Sequence, residues 1–252
     1  EGTDPLANQN GNAPIGTGPY RFKEWARGSH IVYERNPDYW QPDLPRVDRL
    51  VYKTLPDTGA RSIAFENGSG DLGYRTPVAL ADLDRLKKVP HLVFETKGTS
   101  YSYNVSCLQF NLDSQYFKHL KVRQAVAHAI EREALIKRVA YGYGTVCYSP
   151  IAPGLKAFHD PTPSPYKVDL KKAEALLDEA GFPRGNNKIR FKVPLDYNPI
   201  GDESRRASDF FRAALASIGI AVDVRAADSS AFVKRIYTDR DFDFTYNGHS
   251  NL

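Results

Sequence analysis

Gly16-Thr17-Gly18-Pro19-Tyr20-Arg21-Phe22, running through Trp25 to Glu34-Arg35-Asn36-Pro37-Asp38-Tyr39-Trp40, is the stretch from which the rest of the chain is read. Gly16 and Gly18 leave the backbone around Thr17 free to adopt positive φ, and Pro19 fixes φ at the entry to a strand. Tyr20, Phe22 and Trp25 lie close to a strand alternation, as do Ile31 and Tyr33 beyond the polar turn Ala26-Arg27-Gly28-Ser29. Asn36-Pro37-Asp38 ends the second strand, because proline cannot donate to a ladder. The residues predict a β-hairpin with an aromatic face.

A length of 252 residues suggests one large domain or two modest ones, with enough interior for a full core. The 15 Tyr and 13 Phe favour sheets and aromatic-lined surfaces. The net charge of +4 comes from 34 basic residues interspersed with 30 acidic ones, and no basic stripe of the kind that binds DNA or RNA is visible. No run approaches the roughly 20 apolar residues of a membrane span. Residues 1–12 are polar and lack the basic start and apolar core of a signal peptide. With no Met anywhere, the sequence reads as an excised or processed piece. Cys107 and Cys147 either bridge in an oxidising compartment or serve as small buried side chains.

After the hairpin, residues 46–54 read as a strand and 58–66 as a short helix closed by Asn67-Gly68. Residues 71–74 suggest a further short strand, and 77–88 a helix stopped by Pro90. The Tyr-rich stretch 99–112 is extended. Tyr101, Tyr103, Val105 and Cys107 fall on one face and Phe110 and Leu112 on the other, so a bulge or crossing is expected near residue 108. Residues 121–141 form the clearest helix, with a stripe of Val122, Ala125, Val126, Ala129, Ile130, Ile136 and Val139 and with Gly142 at the C′ position. His128, beside that stripe, reads as a packed or solvated side chain before a ligand. Asp169 caps a helix running to Ala180.

An alternating unit follows. Strand positions Ile189, Phe191, Val193 and Leu195 lead to a helix over 203–217, and the strand of Ile220, Val222 and Val224 leads to a helix over 229–237. Phe242, Phe244 and Tyr246 form the last strand. This βαβαβ order predicts an open sheet with right-handed crossovers and helices on its faces. Open α/β sheets take ligands outside the carboxyl ends of their strands. The candidates there are Asp196, Tyr197 and Asn198, then Ala227-Asp228, then Asn247, Gly248 and His249, with the loop 148–154 able to join them. Carboxylate, amide, phenol and imidazole groups suit a polar or zwitterionic small ligand. Asp196 and Asp228 equally suit capping of the helices that follow them. No nucleophile elbow, HExxH, CxxC or spaced carboxylate pair is present, so no catalytic residue, metal site or cofactor is assigned.

As a string, residues 16–40 resemble the signature of the family-five extracellular solute-binding proteins of ABC transporters, which include oligopeptide-, dipeptide- and nickel-binding receptors. Phe110-Asn111-Leu112 followed by Phe117, His119 and Val122-Arg123-Gln124-Ala125 is similar to that family's motif at the start of its second lobe. Tyr116-Phe117 and His119 stand where Pro-Phe and Asp are usual. Ser149-Pro150-Ile151-Ala152-Pro153-Gly154 resembles the family's proline-rich loop. The resemblance implies an α/β, periplasmic-binding-protein-like fold of type II with mixed sheets and flanking helices. Parts of two lobes are expected, 1–103 in lobe I and 104–252 in lobe II, with the hinge near 99–112, as a middle-to-late fragment of a protein about twice as long. It further implies a non-enzymatic, monomeric importer component in the periplasm or outside the cell. That component captures a small solute or peptide for ABC permease subunits, with Tyr101 and Tyr103 added to the ligand-facing set. In the family the strand of Asp241-Phe242-Asp243-Phe244 leads into Gly-Trp and then an acid that holds a peptide's amino terminus. Here His249 follows Gly248 and no acid appears before Leu252. The other functions weighed are a ligand-sensing domain of a transcriptional regulator and a hydrolase using Asp196 or Glu203 with His249.

Overall fold

The computed structural model of the chain describes residues 8–74, 77–96, 103–199 and 201–251. It divides into two compact units, residues 1–78 and 79–252.

In the first unit β1 (Tyr20–Ala26), β2 (His30–Arg35) and β3 (Arg49–Lys53) form an antiparallel meander. The tight turn that needs positive φ is made by Gly28, at 75°, whereas Gly16 and Gly18 do not take such angles. A register shift between Phe22 and Glu24 sets Trp25 opposite Ile31. Tyr33 packs edge-on against Phe22 and Tyr52, with ring centroids 6.2 and 5.8 Å away. Val32, on the other face, is fully buried. Asn36 closes the hairpin's open end, its backbone N–H donating to Pro19 O and its side chain to Gly18 O. Helix α1 (Thr58–Glu66) has the predicted bounds, because the Asp57 carboxylate accepts from Ala60 N–H at 2.7 Å and Asn67-Gly68 ends it. Residues 71–74 form no strand.

In the second unit the helix expected over 77–88 shrinks to a 3-10 turn at Leu80–Asp82 and the single turn α2 (Leu83–Leu86). Strand β4 (Tyr103–Phe110) pairs without a register break, so no bulge forms at residue 108: plain alternation already sets Phe110 on the face opposite Val105 and Cys107, and the strand ends before Asn111. Asn111 is buried and its side-chain amide donates to Phe242 O at 2.9 Å.

The helix expected over 121–141 is two helices, α3 (Leu120–Ala129) and α4 (Arg132–Val139). Ile130 and Glu131 are extended between them, and the Glu131 carboxylate accepts from Glu133 N–H and Ala134 N–H, starting α4 afresh. At its end Tyr141 takes the left-handed position expected of Gly142, which is also left-handed one residue later. His128 is buried, its Nδ1 2.7 Å from Lys167 O.

Helix α5 (Leu170–Glu179) is capped by Asp169, which accepts from Lys172 N–H at 2.9 Å. Then come β5 (Phe191–Tyr197), α6 (Asp202–Ser217), β6 (Ile220–Arg225), α7 (Ser229–Val233) and β7 (Phe244–Asn251), which is the predicted βαβαβ unit. The chain leaves α7 through a π-helical turn over Lys234–Asp239, ended by Arg240 at φ 54°. The sheet order is β4-β7-β5-β6: β7 runs parallel to β5 and antiparallel to β4, so the last strand sits inside the sheet. Phe191, Val193 and Leu195 face a core built with Ala207, Phe211 and Leu215 of α6 and with Ala173 and Leu177 of α5. Phe244 is fully buried between Phe110 and Phe117, with ring centroids 6.3 and 5.0 Å away. Gly219 makes the turn from α6 into β6 at φ 84°, where a Cβ would meet Lys188 O at 3.0 Å.

Candidate functional site

The strand order fixes where this sheet opens. From β5 the chain crosses to β6 on one side and then returns past β5 to β7 on the other, so the topological switch point lies between the carboxyl ends of β5 and β7. Side chains alternate across each strand, which puts Leu195 on the α6 side and Asp196 and Asn198 on the opposite side with Thr245 and Asn247.

Asp196 is 1% exposed and held by two guanidinium groups. Arg225 of β6 donates from Nε at 3.1 Å and from a terminal nitrogen at 2.6 Å, and Arg235 of the π turn donates at 2.9 Å. Burial lowers the Arg225 pKa, but the hydrogen bond and charge of Asp196, with Asp241 and Asp243 nearby, outweigh it and hold the guanidinium above its ordinary range. Asp196 therefore fastens the π turn to the sheet and does not cap α6, which begins at Gly201 without a side-chain cap. Asp228 does cap α7, accepting from Ala231 N–H at 2.9 Å.

Asn198 and Asn247 meet at the switch point. The Asn198 side-chain amide donates to Asn247 Oδ1 at 3.1 Å, and Gly248 N–H donates to the same oxygen at 2.9 Å. Asn247 is buried, and its Nδ2 donates to the Tyr237 hydroxyl. Tyr197 is buried on the α6 side.

His249 is exposed two residues beyond Asn247, and its Nε2 meets the side-chain amide nitrogen of Gln109 across β4. It also borders a cleft of about 970 Å³ between β4, the α3–α4 pair and residues 143–154. The proline-rich loop 148–154 thus joins the cleft at His249 and not the amide pair. Within this cleft the Tyr246 phenol is pushed up by burial, opposed by a hydrogen bond to Ser106 and reinforced by the charge of Glu203. Desolvation also raises the Glu203 carboxyl, with Arg206 opposing, and the Cys107 thiol, with the Gln109 hydrogen bond opposing. Cys107 and Cys147 are free thiols, both on the cleft wall. Tyr103 enters as the first residue of β4, opposite Asn251, and Tyr101 lies outside the described residues.

Tyr237, Gln109, Arg225 and Arg235 escape a reading of the sequence. Tyr237 lies 10 residues from Asn247, and the other three lie 29 to 140 residues from Asp196 or His249, all in positions that carry no motif. Among the described residues no three His, Cys, Asp or Glu side chains are placed to hold a metal ion, and no helix is long and apolar enough to cross a membrane.

Against known proteins, residues 2–251 match the model of the bacterial extracellular solute-binding proteins, family 5, middle region. The chain belongs to this family. It is 32% identical over 212 residues to a heme-binding protein A of Haemophilus influenzae, covering 82% of this chain and 36% of that protein. It is 30% identical over 226 residues to a dipeptide-binding protein of Escherichia coli K12, covering 88% of this chain and 40% of that protein. Among solved structures, the periplasmic binding protein DppA of Helicobacter pylori in complex with the peptide STSA superposes with a TM-score of 0.80 at 29% identity, covering 94% of this chain and 44% of that one. The α/β fold of this family member is thus that of the periplasmic binding proteins, with mixed sheets and flanking helices. The chain spans about two fifths of the length of the curated relatives it matches.

Proposed function

We propose that the intact protein is the substrate-binding component of an ABC importer. It captures a small polar solute (a peptide, opine, sugar or metal chelate) between two lobes, closes on it, and delivers it as a monomer to membrane permease subunits from the periplasmic or extracellular side. Residues 1–103 contribute to lobe I, 104–252 to lobe II, and the hinge runs near 99–112. The observation that carries this reading is the family match over residues 2–251. Support comes from the relatives, whose names specify heme, dipeptides and a bound peptide, and from the amide pair at the switch point, which offers hydrogen bonds without a reacting group. Such a protein works by differential affinity for its closed form and leaves its solute chemically unchanged.

The test is thermal-shift and calorimetric screening of the intact protein against peptides, opines, sugars and metal chelates. One class is expected to bind and stabilise it, by about 2.7 kcal/mol at a hundredfold excess over Kd. Turnover of a solute, with stabilisation by none, overturns the reading.

A further inference from the structure

The hydrogen bonds around Asn247 orient a group that the receptor reading leaves without a role. A backbone N–H can only donate, so the Asn247 side-chain atom that Gly248 N–H meets at 2.9 Å is the carbonyl oxygen. Asn198 donates to that same oxygen at 3.1 Å, which leaves the Asn247 amide only its NH2 to present on the other side. That NH2 faces the Tyr237 hydroxyl, whose oxygen must therefore accept. A phenol that accepts through its lone pair keeps its own proton for a further partner. Among the described residues nothing takes that proton, and Tyr237 is 57% exposed. Asn198, half-buried, is in the complementary state: its NH2 is used on Asn247, and among the described residues no donor meets its carbonyl oxygen.

The backbone under Tyr237 is equally specific. The residue sits in the π turn, a form that appears mostly as single turns and often at functional sites. Two residues earlier, Arg235 is tied to the buried Asp196 at 2.9 Å, so the turn is fastened to the strand that delivers Asn198.

We propose that Tyr237 is a solute-contacting, specificity-determining residue, whose O–H donates to a carboxylate of the transported solute while Asn198 Oδ1 accepts from a donor on the same molecule. Asn247 is a positioning residue that holds both groups in those roles. The proposal rests on the receptor reading and narrows its solute to a carboxylic acid with a hydrogen-bond donor nearby.

Isothermal titration of the intact protein with dialanine, tetraalanine and arginine, each beside its C-terminal amide, tests it. At least one acid is expected to bind, and to bind more tightly than its amide. Tyr237→Phe weakens that acid by about 10- to 100-fold, the range for a hydrogen bond to a charged group. It weakens the amide less, because a neutral carbonyl is the poorer acceptor, so the selectivity ratio falls, which a merely structural loss would not produce. Asn247→Asp turns the partner of Tyr237 from donor to acceptor, so it takes the phenolic proton and lowers acid affinity at least as much with the tyrosine still present. Equal binding of acid and amide, equal loss of both in Tyr237→Phe, or full acid affinity in Asn247→Asp overturns the proposal and leaves the receptor reading standing. Binding of none of the six probes overturns it as well. The receptor reading itself falls only if the broader solute panel also fails and turnover is seen.

Discussion

The two sheets of this protein divide the work of recognition and of burial between them. The β1–β3 meander carries the string by which the family is recognised, yet Val32 is its only fully buried side chain; Trp25 and Tyr52 are 38% and 60% exposed. The β4–β7 sheet carries a less distinctive string. It buries Phe191, Val193, Leu195, Ile220 and Phe244, and it places polar groups at its switch point. The recognisable string of this chain therefore lies on a lightly buried scaffold, while its buried amide pair lies at strand ends far along the chain.

The contrast is sharpest in the cost of removing a ring. Phe244→Ala is expected to destabilise the intact protein by about 3–5 kcal/mol in denaturant unfolding, because a fully buried ring leaves a cavity among Phe110 and Phe117. Tyr52→Ala, which removes an exposed ring from the meander, is expected to cost less than about 1 kcal/mol. Equal costs would dissolve the distinction between the sheets.

Asp196→Ala comes next, at about 3 kcal/mol. The estimate sits at the low end for a broken buried pair because Arg225 and Arg235 keep 30% and 29% side-chain exposure and can be rehydrated. Hydrogen exchange should quicken first at the amides of the π turn; unchanged protection there would show that Asp196 does not fasten it.

The smallest effect is a pH dependence. Burial raises the Glu203 carboxyl above its ordinary range. An acid whose pKa rises on folding contributes its stability below the unfolded value, about 4.3, and loses it as pH climbs through the folded value. Glu203→Gln should therefore gain on the wild type in Tm between about pH 4 and neutrality, and a constant difference across that window would contradict the assignment.

Much of this was legible in the residues. Asp169 announces a helix start and Asp228 suits one, and both accept the capping hydrogen bonds; the same role of Asp57 went unread. Alternation located β5 and β7 and hence the strand ends that carry Asn198 and Asn247, whereas the strand order that makes those ends neighbours was not legible. The break between α3 and α4 was hidden, because the apolar stripe continues through Ile130 while Glu131 caps the second helix from within it. Asp196 read equally well as a ligand group or a cap; its actual partners are 29 and 39 residues away. Tyr237 was invisible for a geometric reason. The 3.6-residue pattern expected over 229–237, with Phe232, Val233 and Ile236 apolar, buries Phe232 and Ile236 but not Val233, and it assigns no meaning to a residue in a π turn.

The interior position of β7 has a consequence in time. Phe110 and Phe244, which face each other across the β4–β7 pair, are separated by more than a hundred residues of chain. At the usual pace of synthesis β4 waits on the order of ten seconds for its neighbour. Until then the gap between β4 and β5 stays unfilled, with strand edges open on both sides. The sheet is therefore a late-closing structure, and the interval before β7 arrives is when a holding chaperone or a pause in elongation would matter most.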